Sequence, residues 1–166
     1  MPLPFVDPER HTSGFNRVMT KLVRSRSGKF LAQHVAARTD PWLMRASGGK
    51  LSWGMFAVPS ATLVSTGAKS GQRRTAQISY FHDGDDVIAV ASNFGGDKHP
   101  GWYYNLVAHP ECELGGERFR AAEVTDPADY QRLYGLAERS YPGYGDYRAA
   151  TEAIGRHIPV SRLSPR

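Results

Sequence analysis

Apolar residues recur along the chain with two different periods. Near the N-terminus Phe15, Val18, Met19, Leu22 and Val23 fall at i, i+3, i+4, i+7 and i+8, the spacing of one apolar helix face. Arg17, Lys21 and Arg24 take the opposite side. Ser27-Gly28 interrupts the pattern, residues 30–37 resume it before Asp40-Pro41, and Ser47-Gly48-Gly49-Lys50 reads as a loop. From residue 61 the period shortens to two. Residues 61–66 predict a strand, and residues 75–82 another, in which Ala76, Ile78 and Tyr80 alternate with Thr75, Gln77, Ser79 and Phe81. Asp83-Gly84-Asp85-Asp86 is a turn whose carboxylates are expected in solvent, and residues 87–91 form a continuous apolar run, the mark of a central strand. These segments predict a meander.

Helical spacing returns at residues 102–108, with Pro100 suited to the first turn and His109-Pro110 as the stop. Residues 113–118 predict a hairpin turn, followed by a strand through Val124. Asp126-Pro127 then caps a helix whose buried stripe is Tyr130, Leu133, Tyr134 and Ala137. Tyr141, Tyr144 and Tyr147 are spaced by three, yet Pro142, Gly143 and Gly145 argue against a regular helix through them. A mobile aromatic lid and a plug at the end of the core are both open readings. A short helix over 148–155 and a strand at 158–160 close the chain. The whole is mainly β with flanking helices: one domain over 1–166, with 1–58 a helical extension.

Charge sharpens this division. The net charge of +5 conceals twelve Lys or Arg against three acids in residues 1–74, and nine against thirteen in residues 75–166. A balance of +9 in the first part favours an anionic partner: nucleic acid, a membrane surface or a polyanionic small molecule. The longest apolar stretch, 53–58, is too short to span a bilayer. The start Met1-Pro2-Leu3-Pro4 lacks the features of a signal peptide, so a cytoplasmic protein is expected, with peripheral contact at the inner membrane face open through the basic N-terminal helix. The single Cys112 excludes an internal disulfide and reads as core.

Two loops carry the candidate chemistry. Residues 65–75 (Ser-Thr-Gly-Ala-Lys-Ser-Gly-Gln-Arg-Arg-Thr) set a glycine turn among cations and hydroxyls, equipment for holding an anion. A Walker loop is disfavoured because Lys69 follows Ala68 and a strand, not a helix, comes next. Residues 92–100 (Ser-Asn-Phe-Gly-Gly-Asp-Lys-His-Pro) place Lys98 just before a helix N-terminus, which favours an anion or a polar heterocycle. The six histidines form no i, i+4 pair, and no G-x-S-x-G elbow exists, so neither a metal site nor a serine nucleophile is expected. Binding equipment without a nucleophile points to a cofactor that brings its own reactivity.

Residues 66–74 followed by 91–106, then His109-Pro110, Tyr141 to Tyr147 and Ile158-Pro159, resemble the deazaflavin-dependent nitroreductase family, the coenzyme F420-dependent quinone and nitro reductases of actinobacteria. The resemblance implies a split β-barrel of the flavin-reductase or FMN-binding type, with F420 in preference to FMN or FAD. It implies that Lys69, Ser70, Gly71, Arg73, Arg74 and Thr75, helped by Lys98, hold the coenzyme's phosphate and tail. Ala91, Ser92, Asn93, Phe94, Gly95 and Gly96 would meet the ring, with Trp102 and Asn105 completing the coenzyme site. Ser92, Tyr141, Tyr144 and Tyr147 would act at a quinone-like or nitroaromatic acceptor. Ala68 stands where the family commonly has Arg, and Arg73 where it commonly has Pro. A split-barrel carrier of flavin, haem or a lipid-like ligand remains the alternative; a basic membrane-surface binder is a third class, and no nucleic acid is expected because no recognition helix or stacking motif is evident.

Overall fold

The computed structural model describes residues 3–9 and 59–166. The expected helices at 15–23 and 30–37 and the loop at 47–50 lie outside these residues. The described chain runs β1 (Ser60–Thr66), β2 (Arg73–Ser79), β3 (Phe81–Asp83), β4 (Asp86–Val90), a 3-10 turn (Asn93–Gly95) and α1 (Gly101–Ala108). It continues through β5 (Glu111–Leu114), β6 (Glu117–Glu123), α2 (Pro127–Ser140), α3 (Gly143–Glu152) and β7 (Val160–Pro165). The strands form one antiparallel sheet in the order β2-β1-β5-β6-β7-β4-β3.

That order corrects the expectation of one strand over 75–82. Only Tyr80 separates β2 from β3, yet these strands lie at opposite edges of the sheet. The chain therefore crosses a seam there, and the sheet must curl for a single residue to join its two edges. Tyr80 is buried, its N–H donates to Pro59 O at 3.3 Å, and its hydroxyl donates to Pro4 O at 2.9 Å. The result is a split β-barrel. Leu3 to Glu9 runs beside β3: His82 N–H donates to Val6 O at 2.8 Å, and Val6 N–H donates to His82 Nδ1 at 3.0 Å.

The expected hairpins at 83–86 and 113–118 form as β3–β4 and β5–β6. Val87, Ile88, Ala89 and Val90 are all buried, because β4 lies between β7 and β3 and α2 packs against β4 and β7; a strand covered on both faces needs no alternation. Cys112 is buried in the core, where burial pushes its thiol up to about 11, so it is an inert packing group. The N-terminus of α2 is capped as expected, with Asp126 Oδ1 accepting from Asp129 N–H at 2.8 Å.

Three further expectations need correction. Asp86 is not a free turn carboxylate: its Oδ2 accepts from Arg162 Nη1 at 2.8 Å. Arg162 also donates to Asp129 at 2.8 Å, and Arg132 forks onto both oxygens of Asp83 at 2.8 and 2.7 Å. The network ties α2 and β7 to the β3–β4 hairpin. The final strand is β7, not 158–160; Pro159 accepts from Ala91 N–H at 2.9 Å, but regular pairing with β4 and β6 begins at Val160. Finally, α3 starts at Gly143 and runs through Gly145. Pro142 stands just before it, so its missing N–H costs the helix nothing.

Candidate functional site

The first loop joins β1 to β2 through a tight turn. Gly67 N–H donates to Gln72 O and Gly71 N–H to Gly67 O, both at 2.8 Å. Gly71 has φ +65, the left-handed region open to glycine. Asn105 on α1 ties the loop down: its Oδ1 accepts from Ala68 N–H at 2.9 Å and its Nδ2 donates to the buried Ser65 Oγ at 3.2 Å. Lys69, Ser70, Gly71, Arg73, Arg74 and Thr75 are exposed. Arg74 donates to Ser70 Oγ at 3.4 Å, whereas Arg73 reaches sideways to Glu113 on β5 at 3.3 Å.

Between this loop and α1 lies a cleft of about 400 Å³ lined by Ser65, Arg74, Thr75, Ala76, Gly101, Trp102 and Asn105. Its lining brings together a guanidinium, the first residue of a helix and an indole, and includes no carboxylate. A phosphate-bearing aromatic coenzyme fits that donor set. Lys69, Ser70, Gly71, Arg73, Lys98 and residues 91–96 are not part of the lining; the first three belong to the adjoining loop, Arg73 opens β2, and the others lie in the segment between β4 and α1.

The second loop leads from β4 to α1. Asn93 and Phe94 hold positive φ values of 48 and 55, conformations uncommon for side chains with a Cβ. Phe94 is 84% exposed and meets Tyr147 edge-on, with ring centroids 6.2 Å apart. Gly95, with φ +75, lies so close to α3 that a Cβ would stand 3.3 Å from both Tyr147 Cα and Ala150 Cβ. Asn93 Nδ2 donates to Lys98 O at 2.9 Å and closes the loop on itself. Ala91 is buried, Ser92 is half-buried and Lys98 is exposed.

The tyrosines form one cluster: Tyr141–Tyr144, Tyr144–Tyr147 and Tyr141–Tyr147 centroids lie 5.9, 6.0 and 6.4 Å apart. Gly143 makes room for it, since a Cβ there would lie 2.2 Å from Tyr141 Cε1. The three are not equivalent. Tyr144 belongs to the core and its carbonyl accepts from Tyr134 hydroxyl at 3.0 Å. Tyr141 and Tyr147 are half-buried. Burial first, then neighbouring Tyr141, raises the Tyr147 phenol well above its ordinary value, so it remains a proton-bearing donor at neutral pH.

Sequence reasoning missed Arg156. From the turn between α3 and β7 its guanidinium donates to Ser92 O at 2.9 Å, Gly96 O at 2.6 Å and Ala91 O at 2.7 Å. An arginine in a loop has no pattern that announces three backbone carbonyls as its partners. Tyr103 was also passed over; burial and its 2.7 Å hydrogen bond to Glu123 push its phenol up to about 12. Among the described residues no cluster of His, Cys, Asp and Glu is arranged to hold a metal ion.

The family model for F420H(2)-dependent quinone reductase matches residues 36–165. An F420H(2)-dependent quinone reductase of Mycobacterium tuberculosis is 36% identical over 149 residues, spanning 83% of this chain and 97% of the relative. A solved F420-H2 dependent reductase, FDR-A, superposes with a TM-score of 0.54 at 31% identity, covering 64% of this chain and 94% of that one. A solved domain-swapped dimer gives a TM-score of 0.57 at 27% identity over 80% and 98% of the two chains. By the extent of the family match and the identity to its relatives, the chain belongs to the F420H(2)-dependent quinone reductase family.

Proposed function

We propose that this protein binds reduced coenzyme F420 along α1 and passes a hydride to a quinone, with nitroaromatic compounds as further acceptors. The observation that carries the reading is the placement of α1. Its Asn105 fastens the cationic β1–β2 loop, and its N-terminus lines the cleft directly after the second loop. One helix thus stands beside an anion-holding loop, whose Arg74 shares the cleft with it, and directly follows a backbone-rich loop.

Arg74, Lys69 and Ser70, with Lys98, hold the phosphate and acidic tail by charge-assisted hydrogen bonds. Trp102 supplies an apolar wall for the coenzyme. The 91–96 backbone, including Ser92, meets the ring edge, and the exposed Phe94 covers it from water. When bound in its reduced form the coenzyme supplies a hydride from the ring carbon that replaces a flavin nitrogen, and a quinone taking up that hydride with one proton becomes a hydroquinone. Tyr147, whose burial raises its phenol further above neutrality, and Tyr141 beside it orient the acceptor oxygen by hydrogen bonding, while Tyr144 forms the wall behind them. Solvent supplies the proton.

The basic N-terminal half supports a cytoplasmic protein in peripheral contact with anionic lipid, where lipid-soluble quinones reside. Among the described residues no helix is long and apolar enough to cross a membrane. Flotation with anionic vesicles tests the contact; recovery in the lipid fraction is expected at low salt. The reaction is tested by mixing F420H2 anaerobically with a water-soluble naphthoquinone and following the return of the oxidised chromophore. Quinone-dependent, protein-dependent oxidation is expected; a protein that binds the coenzyme and leaves its oxidation rate unchanged would contradict the proposal.

A further inference from the structure

Arg156 is half-buried and its guanidinium hydrogen bonds run to the 91–99 segment, while its backbone N–H donates to Thr151 O at 2.8 Å. Nη1 donates to Ser92 O at 2.9 Å and Gly96 O at 2.6 Å, Nη2 to Ala91 O at 2.7 Å, and Nε to His99 Nδ1 at 3.3 Å. Each acceptor is neutral. Burial first, then the facing guanidinium, lowers the His99 pKa from its ordinary value, which favours the neutral ring; with its proton on Nε2, Nδ1 accepts. Four points on one loop therefore converge on a single planar fork.

This arrangement decides which way the loop's amides face. All peptide bonds described are trans, and in a planar trans peptide the carbonyl and the following N–H point in opposite directions. With Ser92 O and Gly96 O turned onto the guanidinium, the N–H groups of Asn93 and Asp97 point away from it. Between these carbonyls the backbone is left-handed at Asn93 and Phe94, and such a conformation persists only where surrounding contacts hold it.

We propose that Arg156 is the positioning residue of the hydride-donor site: it fixes residues 91–99 so that their outward N–H groups receive the carbonyl-bearing edge of the deazaflavin ring. The proposal rests on the coenzyme reading above and adds to it a residue outside both glycine loops. Arg156 touches neither coenzyme nor acceptor. A lysine cannot replace it, because one ammonium does not span three carbonyls arranged around a fork.

The test uses full-length Arg156→Lys and Arg156→Gln. Hydrogen exchange in the coenzyme-free protein is expected to accelerate about tenfold across 91–99, while the β5–β6 hairpin keeps its wild-type protection and reports that the barrel is folded. Binding is then titrated with F420 and with its ring fragment lacking phosphate and glutamates. Both affinities are expected to fall together, about tenfold, and in turnover the KM for F420H2 rises while that for the quinone is unchanged. Should Arg156→Gln not fold, Arg156→Lys retains the charge and most of the length. Folded variants that exchange like wild type at 91–99, or that bind both ligands with wild-type affinity, would overturn the proposal. If the wild-type protein itself binds neither ligand, the coenzyme reading fails and the ring-edge role with it, whereas the exchange result still decides whether Arg156 holds the loop.

Discussion

The two glycine loops that flank α1 are alike in composition and unlike in how they are held. In the β1–β2 loop the cations are exposed and, although Asn105 holds its base and a Cβ on Gly67 would lie 2.6 Å from Ser70 Oγ, one on Gly71 at the tip would meet nothing within 4 Å. In the 91–99 loop Gly95 is pressed against α3 and three carbonyls are fastened by Arg156. The difference matches two kinds of task. A charged tail can be held by cations that adjust to it, since electrostatic attraction varies slowly with position. A ring that must deliver hydride requires fixed geometry, because small misplacements at the reacting atoms cost rate steeply. The first loop is an anchor and the second a template.

The largest effect is expected where the anchor is removed. Lys69→Ala combined with Arg74→Ala should weaken F420 binding about 30-fold at low salt, and the remaining binding should depend less on salt; isothermal titration at two ionic strengths checks both. A glycine pair then contrasts the loops. Gly95→Ala sets a Cβ in tight contact, 3.3 Å from Tyr147 Cα, at a positive φ and should lower coenzyme affinity about tenfold with a loss of about 1–3 kcal/mol in stability. Gly71→Ala meets only the conformational penalty, about 1 kcal/mol, and should leave affinity within twofold. Thermal melts and titrations of both variants decide whether the second loop is the stricter one. A smaller effect is expected on the acceptor side, where Tyr147→Phe should lower kcat about fivefold with coenzyme affinity unchanged, read by steady-state kinetics and titration together.

The seam of the barrel and much of the site were legible in the sequence to different degrees. The cationic turn, the 92–100 loop and the 102–108 helix were readable because glycine, proline and apolar spacing act locally, and the joint pattern of the loops resembled the family to which the chain belongs. The seam at Tyr80 was not readable: the adjacent apolar pair Tyr80-Phe81 is the one break in the alternation of residues 75–82, and only long-range pairing shows that they serve both edges of the sheet. The expected strand at 158–160 reached only the first residue of β7, because the residues that follow are largely polar; yet Ser161 is buried and Arg162 is neutralised by Asp86 and Asp129. Helix α3 was obscured by its glycines, one of which serves to admit the Tyr141 ring. Arg156 was invisible for a related reason, since its partners are backbone atoms far away in sequence.

The charge network at the β3–β4 hairpin gives the smallest predicted effect and a pH signature. Hydrogen bonding from Arg132, opposed by burial and aided by nearby Arg162, lowers the Asp83 carboxyl below its ordinary value of 3.8, and Asp129 is lowered chiefly by Arg132 in the same way. Groups lowered on folding stabilise the protein fully above their unfolded values and lose that contribution as pH falls through the folded ones. The melting temperature should therefore hold down to about pH 5 and decline below about pH 4, and Asp83→Asn should flatten that decline by a few degrees while costing stability at neutral pH.

The division between anchor and template is tested most directly by titrating the Lys69→Ala, Arg74→Ala double variant with two ligands, F420 and its ring fragment without phosphate or glutamates. The affinity for F420 should fall toward that of the fragment, and the fragment should bind as it does to the wild type. Equal losses for both ligands, or no loss for F420, would contradict the assignment of the tail to the β1–β2 loop and the ring to residues 91–99.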